Sequence, residues 1–195
     1  PPPPPLTLFR RQRQMCIRDR EKGGFFMTGN DHEALIAREK PAVDDALPAG
    51  NAVAALNLLR LGAFTTDSAY TVRAEKTLAA FSNSMTNNPT AFAGLLTALD
   101  FLHGQTPEII IVIPGSEPDA ADPFLDLLRR HHLPNRVLSV ICEDHDRAAL
   151  EKMMPLVHNR PAMDGKATAY VCRSHTCKLP TSDPKEFARL VGVKP

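Results

Sequence analysis

Residues 23–61 read GGFFMTGNDHEALIAREKPAVDDALPAGNAVAALNLLRL. We expect the rest of the chain to be organised around this stretch. Its first half is charged and loop-like, and it leads through Pro48 and Gly50 into an apolar helix that Asn51 can cap. Apolar residues cover most of the circumference of this helix, which predicts burial on more than one side. We expect the helix to end at Gly62. Ionisable groups concentrated before a buried helix are typical of a pocket floor.

The charged half contains candidate acid–base groups. Asp31, His32 and Glu33 place an imidazole between two carboxylates, and Lys40 with Asp44 adds a second ionisable pair. General acid–base catalysis needs such groups in environments that separate their pKa values. The alternative is a set of solvated charges or ion pairs that only holds the loop in place.

The composition is that of an ordinary soluble globular protein. The chain has 195 residues, of which 43% are hydrophobic and 23% charged, so it fits one domain or two small ones. A net charge of +1, no Trp and only two Tyr argue against a nucleic-acid-binding surface. No run approaches the roughly 18 apolar residues of a membrane span, and no secretory signal is visible. We expect a cytoplasmic protein that binds neither nucleic acid nor membranes.

Residues 1–20, PPPPPLTLFRRQRQMCIRDR, differ in character from the rest. Five prolines cannot enter a helix or a central strand, and the basic run after them has no apolar face to bury. The segment RQRQMCIRDR resembles a translated artefact from the ends of assembled sequence reads. We predict that residues 1–20 are disordered and non-native, and that the native sequence starts at Glu21. The alternative is a disordered basic arm that binds an acidic partner.

Apolar residues at helical spacing predict two further helices before residue 105. The first starts near Asp67 or Ser68, and the second starts at Asn88 and Pro89 and ends at Gly104. Their apolar stripes consist of Tyr70, Ala74, Leu78, Phe81 and Met85, and of Phe92, Leu95, Leu96, Leu99 and Leu102. With the helix that follows Gly50, these segments predict successive antiparallel helices joined by short connections.

The period of the hydrophobic pattern changes after Thr106. Residues 109–113 form a β-branched run, which predicts a strand buried on both faces. A helix at 122–132 and a strand at 136–141 complete a βαβ unit with a right-handed crossover. A short helix (147–154), a strand (168–172) and a last helix (184–191) follow. The predicted fold is therefore mainly α, with helical hairpins at 21–104 and a small α/β region at 105–195.

Cys172 and Cys177 enclose four residues, one of which is His175. Redox motifs favour two intervening residues, and zinc sites usually need a second matching pair. We expect two structural thiols, with a conditional disulfide as the first alternative and a metal site as the second. The sequence predicts no metal and no cofactor.

Three separated segments carry a resemblance to a known family: residues 23–61, LPNRV at 133–137 and ATAYVCRSHTCKLP at 167–180. They resemble the thioredoxin-domain-containing, spermatogenesis-associated family, and the resemblance covers residues 21–195 almost continuously. It implies a longer protein, with an N-terminal thioredoxin-like domain and an (α/α) toroid of the six-hairpin glycosidase type, similar to N-acylglucosamine 2-epimerase. This chain would hold the last toroid hairpins and their α/β attachment, without the thioredoxin part.

In toroids of this type the site lies in a central funnel lined by loops at helix ends. The resemblance therefore implies His32, Asp31, Glu33 and Asp44 as catalytic residues, and Arg38, Lys40 and Asn51 as substrate-binding residues. It favours a carbohydrate or a related small molecule as ligand, with this fragment inactive alone. Two alternatives remain, because a fold does not fix a function. One is a redox-linked protein that binds a client for its thioredoxin domain, and the other is a non-catalytic scaffold.

Overall fold

The computed structural model describes residues 17–19, 21–28, 38–115, 117–143, 147–173 and 176–194. The chain divides into two units. The first comprises Pro1–Leu59 and Ser68–Asp100, and the second comprises Arg60–Asp67 and Phe101–Pro195.

The first unit contains a short hairpin and a series of helices. In the hairpin, β1 (Ile17–Arg18) pairs antiparallel with β2 (Phe25–Phe26). The helices are α1 (Gly50–Thr65), α2 (Ser68–Ala80), α3 (Ser82–Asn87), a 3₁₀ turn (Pro89–Phe92) and α4 (Ala93–His103). The last residues of α1 and α4 belong to the second unit.

Small and branched apolar side chains form the core of the first unit. Alanines are buried on three helices, and each of these helices also buries one leucine. The buried residues are Ala52, Ala55 and Leu59 on α1, Ala74 and Leu78 on α2, and Leu95 and Ala98 on α4. Met85 and Phe92 are buried as well, as the predicted stripes require.

Several predicted helix boundaries differ from the structure. Asn51, expected to cap α1, lies inside it, and the helix predicted to include Phe81 and Met85 is interrupted at Phe81. Gly62 lies inside α1 and is buried, because Ala63, Phe64 and Thr65 continue the helix beyond it. Asn88 does not cap a helix with its side chain, since its Oδ1 accepts a hydrogen bond from the hydroxyl of Thr90. Glycine ends a helix when it takes a left-handed conformation, and Gly62 does not.

The second unit is built on a four-stranded mixed sheet. Its strands are β3 (Pro107–Ile113), β4 (Val137–Cys142), β5 (Thr168–Arg173) and β6 (Thr176–Cys177), in the spatial order β4-β3-β5-β6. β4 runs parallel to β3, whereas β5 and β6 each pair antiparallel with the preceding neighbour in the sheet. The helices are α5 (Asp122–Arg130), α6 (Arg147–Met153) and α7 (Pro184–Val191), with 3₁₀ turns at Pro118–Ala121 and Pro155–Val157.

Strand β3 is buried along its whole length, as predicted from its β-branched run. Ile109, Ile111 and Ile113 pack on one face with α5 and α7, where the rings of Phe124 and Phe187 meet edge to face at 5.2 Å. Ile110 and Val112 pack on the other face with residues that include Leu156 and Val157. This two-sided burial makes β3 the centre of the second unit.

The coarse fold prediction is confirmed: a mainly helical region precedes a small mixed sheet with flanking helices. Of residues 1–20, for which disorder is predicted, the structure describes only 17–19, and Ile17–Arg18 form β1. Within the described part of the chain, no helix is both long and apolar enough to cross a membrane.

Candidate functional site

Four of the seven predicted site residues lie in the described part of the first unit: Arg38, Lys40, Asp44 and Asn51. The other three, Asp31, His32 and Glu33, lie outside the described residues. The four described residues follow the predicted acid–base group in the chain.

Asn51 ties the start of α1 to the preceding segment. Its Oδ1 accepts a hydrogen bond from the backbone N–H of Phe25 at 2.7 Å, and its Nδ2 donates to the carbonyl oxygens of Phe25 (3.0 Å) and Pro41 (2.8 Å). The residue is only 1% exposed. A buried primary amide with three backbone partners has most of its hydrogen-bonding capacity satisfied.

Asp44 joins the starts of two helices. One carboxylate oxygen accepts the N–H of Ala49 at 2.8 Å, next to the start of α1, and the other accepts the N–H of Gly94 at 2.6 Å, in the first turn of α4. Its own backbone N–H donates to the carbonyl oxygen of Ala91. A carboxylate is favoured at a helix N-terminus by the unpaired N–H groups and the helix dipole.

Lys40 is held by the hairpin. Its Nζ lies 2.7 Å from a carboxylate oxygen of Asp19 and donates to the carbonyl oxygen of Gly23 at 2.8 Å. The hydrogen bond from Lys40 is the largest of the influences that lower the pKa of Asp19 from its usual 3.8 to about 2; backbone N–H groups of Lys22 and Glu21 add to it. The ammonium group also lies 4.7 Å from the centre of the Phe26 ring.

Arg38 closes the base of the segment that carries the predicted acid–base residues. Its Nη2 donates to the carbonyl oxygen of Thr28 at 2.6 Å, and the backbone N–H of Met27 donates to the carbonyl oxygen of Glu39 at 3.0 Å. The guanidinium lies 4.0 Å from the centre of the Phe26 ring. The chain on either side of residues 29–37 is therefore held together by two hydrogen bonds.

Two glycines allow the hairpin to approach the helices. Gly23 and Gly24 both have a φ of +73°, which other residues rarely adopt. A Cβ on Gly23 would collide with the backbone of Lys76, and one on Gly24 would lie 3.2 Å from Oδ1 of Asn51. The two glycines thus let the backbone reach the Asn51 side chain.

Together, these contacts make a frame, which we call the Asn51–Asp44 frame: Arg38, Lys40, Asp44 and Asn51 with their backbone partners. The structure holds each of the four residues by hydrogen bonds within the first unit, and most of these bonds go to backbone groups. The alternative in which ion pairs hold this segment in place agrees with the contact between Lys40 and Asp19. The catalytic and substrate-binding roles stay predictions.

A second chemical cluster lies in the second unit, around Cys172 and Cys177, for which a disulfide was expected only as the first alternative. Cys172 and Cys177 form a disulfide, so the expectation of two thiols was wrong. They stand directly opposite each other on the antiparallel strands β5 and β6, and this register brings the sulfurs within bonding distance. The C-x4-C spacing was the available signal, because four residues between two cysteines fit a tight hairpin.

Arg160 lies against this disulfide. Its Nη2 is 2.8 Å from the sulfur of Cys177 and 3.5 Å from that of Cys172. Nothing in the sequence pairs Arg160 with the cysteines, which are 12 and 17 residues away. Among the described residues, no group of three or more His, Cys, Asp or Glu side chains could hold a metal ion.

An open groove of about 410 Å³ in the second unit is lined by residues that include Arg60, Arg129, Arg136, His131 and His132. The positive charge of Arg129 is partly neutralised, since its guanidinium pairs with carboxylates of α5, and Arg136 donates to the carbonyl oxygen of Leu133. None of the predicted site residues lines it.

The architecture defines a class only broadly: a helical unit with a carboxylate-and-amide frame, and an α/β unit with a disulfide. No family model matches the chain. The chain is similar to spermatogenesis-associated protein 20 of Homo sapiens, with 29% identity over 174 residues. The proteins of that name from Rattus norvegicus (29% over 179 residues) and Mus musculus (28% over 176 residues) are similar as well.

Each of these alignments covers 89% of this chain, and the chain spans only 22% of the length of each relative. The similarity supports the spermatogenesis-associated family that the sequence motifs indicate. It does not extend to the thioredoxin-like domain, the toroid or a substrate.

Proposed function

We propose that this chain is the C-terminal part of a longer protein of the spermatogenesis-associated family, and that the longer protein has an (α/α) toroid acting on a carbohydrate or a related small molecule. The similarity to the three relatives over most of the chain, together with the order of the three sequence motifs, supports the family. The thioredoxin-like domain and the remaining hairpins belong to the missing part in this proposal. The fragment alone is inactive.

Within the proposed site, the residues divide into two roles. His32, with Asp31 and Glu33, supplies the acid–base group, and Arg38 contacts a hydroxyl or anionic group of the ligand. Asp44, Asn51 and Lys40 keep the segment in position through hydrogen bonds within the chain, and Arg38 adds a hydrogen bond to Thr28. Catalytic groups need a rigid support to hold them in reactive geometry, and the Asn51–Asp44 frame is such a support.

The observation that supports this proposal most directly is the hydrogen bonding between the residues on either side of segment 29–37. Arg38 and Glu39 on one side are bonded to Thr28 and Met27 on the other. A segment whose flanking residues are bonded to each other next to a buried helix can present functional side chains at a fixed place. The chemistry itself is inferred from the resemblance.

The test uses the full-length parent protein, recovered from its gene upstream of Glu21. Its melting temperature is measured with a panel of mono- and disaccharides, beside the variants His32→Ala and Asp44→Asn. We expect one sugar to raise the melting temperature of the parent. The rise should be absent in His32→Ala, because the acid–base group contacts the ligand.

Asp44→Asn provides the matched control. An amide at this position accepts fewer backbone hydrogen bonds than a carboxylate, so the unliganded variant should melt at a lower temperature. Its sugar-dependent rise should nevertheless persist. If no sugar raises the melting temperature, or if His32→Ala keeps the full rise, the carbohydrate proposal is wrong.

The side chains of Asp44 and Asn51 accept hydrogen bonds from backbone N–H groups. This favours a second candidate function, that of a non-catalytic scaffold. In that case the frame is a structural feature, and His32→Ala changes neither ligand binding nor stability. The redox-linked alternative predicts instead that cysteine variants of the full-length thioredoxin domain trap a client protein as a mixed disulfide.

A further inference from the structure

Three side chains form a row across the sheet of the second unit. Glu108 on β3 stands opposite Cys172 on β5, which stands opposite Cys177 on β6. Directly opposed residues of antiparallel strands point to the same face. Tyr170, two residues before Cys172, shares this face, and the Arg160 guanidinium lies 5.8 Å from the centre of its ring.

The two cysteines of the disulfide differ in their exposure to solvent. Cys172 is completely buried, whereas Cys177 is exposed. In thiol–disulfide exchange, the attacking thiolate must approach the sulfur it bonds to. We therefore expect an external thiol to attack the sulfur of Cys177 rather than that of Cys172.

The Arg160 guanidinium lies beside the two sulfurs, on which negative charge develops when the disulfide is reduced. The carbonyl oxygen of Arg160 accepts a hydrogen bond from Arg147, and the carbonyl oxygen of the next residue, Pro161, accepts one from the hydroxyl of Tyr170. The N–H of Ala162 donates to a carboxylate oxygen of Glu143. Three successive residues are thus bonded to the surrounding structure, and this fixes the arginine beside both sulfurs.

A positive charge beside a cysteine stabilises its thiolate and lowers the pKa of the thiol. Burial lowers the pKa of Arg160 below its usual value, and the Glu108 carboxylate acts in the opposite direction and favours the charged form. Among the described residues, Glu108 and Tyr170 are titratable groups near Arg160, and the charges of Arg147 and Glu143 also act on Tyr170. The Glu108 carboxylate raises the pKa of a neighbouring thiol, but the guanidinium contacts the sulfurs directly.

We propose that Cys172 and Cys177 form a reversible dithiol–disulfide centre that exchanges with an external dithiol, with the sulfur of Cys177 as the point of attack and Arg160 as the residue that stabilises the thiolates. The proposal concerns a site separate from the carbohydrate site and does not depend on it.

The exchange takes two steps. A thiolate of the external dithiol attacks the Cys177 sulfur, the Cys172–Cys177 bond breaks, and its electron pair leaves on Cys172 next to Arg160. The second thiolate of the reagent then attacks the reagent's own sulfur in the mixed disulfide and releases Cys177 as a thiolate. Two electrons pass from the dithiol to the cystine, and the dithiol becomes a disulfide. The two protons lost by the dithiol go to the cysteine thiolates or to solvent.

The alternative is a purely structural cross-link, and exposure to a dithiol distinguishes the two. The full 195-residue chain carrying Cys16→Ser and Cys142→Ser contains only the pair of interest. It is treated with millimolar dithiothreitol without denaturant, alkylated, and analysed by mass spectrometry, while circular dichroism monitors folding. We expect complete opening within minutes with the spectrum retained, and the first alkyl group on Cys177.

The role of Arg160 is tested by the pH dependence of alkylation of the reduced pair. In the parent, Cys177 should react with a midpoint below about pH 7.5, within the range of thiols that lie beside a cation. Arg160→Gln should slow alkylation at pH 6.5 by roughly tenfold or more, because the charge is lost. Arg160→Lys should restore most of the rate.

Arg173→Gln is the matched control. Arg173 adjoins Cys172 in sequence, but its guanidinium donates to the carbonyl oxygen of Leu190, so the alkylation rate should not change. The proposal is overturned if the disulfide opens only in denaturant, if Cys172 is alkylated first, or if Arg160→Gln and Arg173→Gln behave alike. Because Arg160→Lys keeps the charge and a long side chain, its rate separates loss of charge from loss of folding.

Discussion

Asn51 connects three parts of the first unit through one side chain. It lies in the first turn of α1, and its amide reaches Phe25 in the hairpin and Pro41 in the segment between them. From the sequence, Asn51 is a helix cap and, through the family resemblance, a substrate-binding residue. The structure shows its amide bonded to the backbone of distant residues, and a sequence without contacts gives no signal for such a role.

Replacing Asn51 by Ala should destabilise the protein strongly. Three hydrogen bonds are lost, and buried backbone groups of Phe25 and Pro41 lose their partner. Each net hydrogen bond contributes about 1 kcal/mol, and an unsatisfied buried group costs about 1–3 kcal/mol, so we expect a loss of roughly 3 kcal/mol. The measurement is the free energy of unfolding in urea.

The matched control is Asn57→Ala on the same helix, where the side chain is exposed. At this exposed position, replacing Asn by Ala, a better helix former, should change the free energy of unfolding by less than about 0.5 kcal/mol. Equal losses in Asn51→Ala and Asn57→Ala would contradict the assigned role of Asn51.

Tyr170 provides a prediction about pH. Burial raises the pKa of its phenol above the usual 10.0, and the positive charges of Arg160 and Arg147 partly oppose this. The folded state thus holds the phenolic proton more tightly than the unfolded state. The resulting stabilisation is fully present below pH 10 and is lost as the pH rises through the raised pKa of the folded protein.

The Tyr70→Phe variant isolates this group, because the chain has two Tyr and no Trp. Alkaline titration followed by phenolate absorbance should give a midpoint above pH 10, and the Arg160→Gln variant should move it further upward. A midpoint at or below 10, or a downward movement in Arg160→Gln, would show that burial does not dominate this environment.

At the scale of the elements, the start of α4 packs closely against the start of α1. A Cβ on Gly94 would lie 2.8 Å from Cβ of Ala52 and 3.0 Å from a carboxylate oxygen of Asp44. Only a glycine allows α4 to approach this closely while its N–H bonds to Asp44. The contact between the two helices therefore depends on the absence of a side chain at Gly94.

Gly94→Ala should consequently destabilise the protein although Ala is the better helix former. Overpacking costs about 1–3 kcal/mol, against a propensity gain of at most about 1 kcal/mol. Gly50→Ala is the control at the start of α1, since a Cβ there meets nothing within 4 Å. Thermal unfolding should show a lower melting temperature for Gly94→Ala and an equal or higher one for Gly50→Ala. A stabilising Gly94→Ala would refute the close packing.

The elements that the sequence predicts best are those whose signal is local. The β-branched run of β3 and the stripe of α2 need only their own residues to be recognised. The last helix is predicted at its observed bounds, Pro184–Val191, because Pro184 follows the capping residue Asp183 and Gly192 ends it in a left-handed conformation. Each of these signals lies within one or two turns of chain.

The features that sequence reasoning missed depend on contacts between distant residues. Gly62 was expected to end α1, but a glycine continues a helix when the surrounding apolar residues are packed. The disulfide depends on the register of β5 with β6, and the contact with Arg160 depends on how the segment before β5 packs. The frame likewise joins Asp44 to Gly94, 50 residues apart. The spacing of residues along the sequence does not show which distant residues will be in contact.

At the scale of the whole molecule, the proposal that this chain is part of a longer toroid has a consequence for its surface. Toroid hairpins bury apolar faces against their neighbours, and an isolated piece leaves such faces exposed. Val53 on α1 and Val72 on α2 are nearly half exposed, at 45% and 46%. Leu47, in the segment before α1, is 78% exposed.

We therefore expect residues 21–195 to self-associate and to show no turnover of mono- or disaccharides. Light scattering during size-exclusion chromatography should show species larger than a monomer at micromolar concentration. Replacing both Val53 and Val72 by Ser should shift the distribution towards the monomer, because the exposed apolar area falls. Met153→Ser, at a 68% exposed position of the second unit, is the control and should shift it less. A monomer that turns over sugars by itself would contradict both the truncation and the need for the missing hairpins.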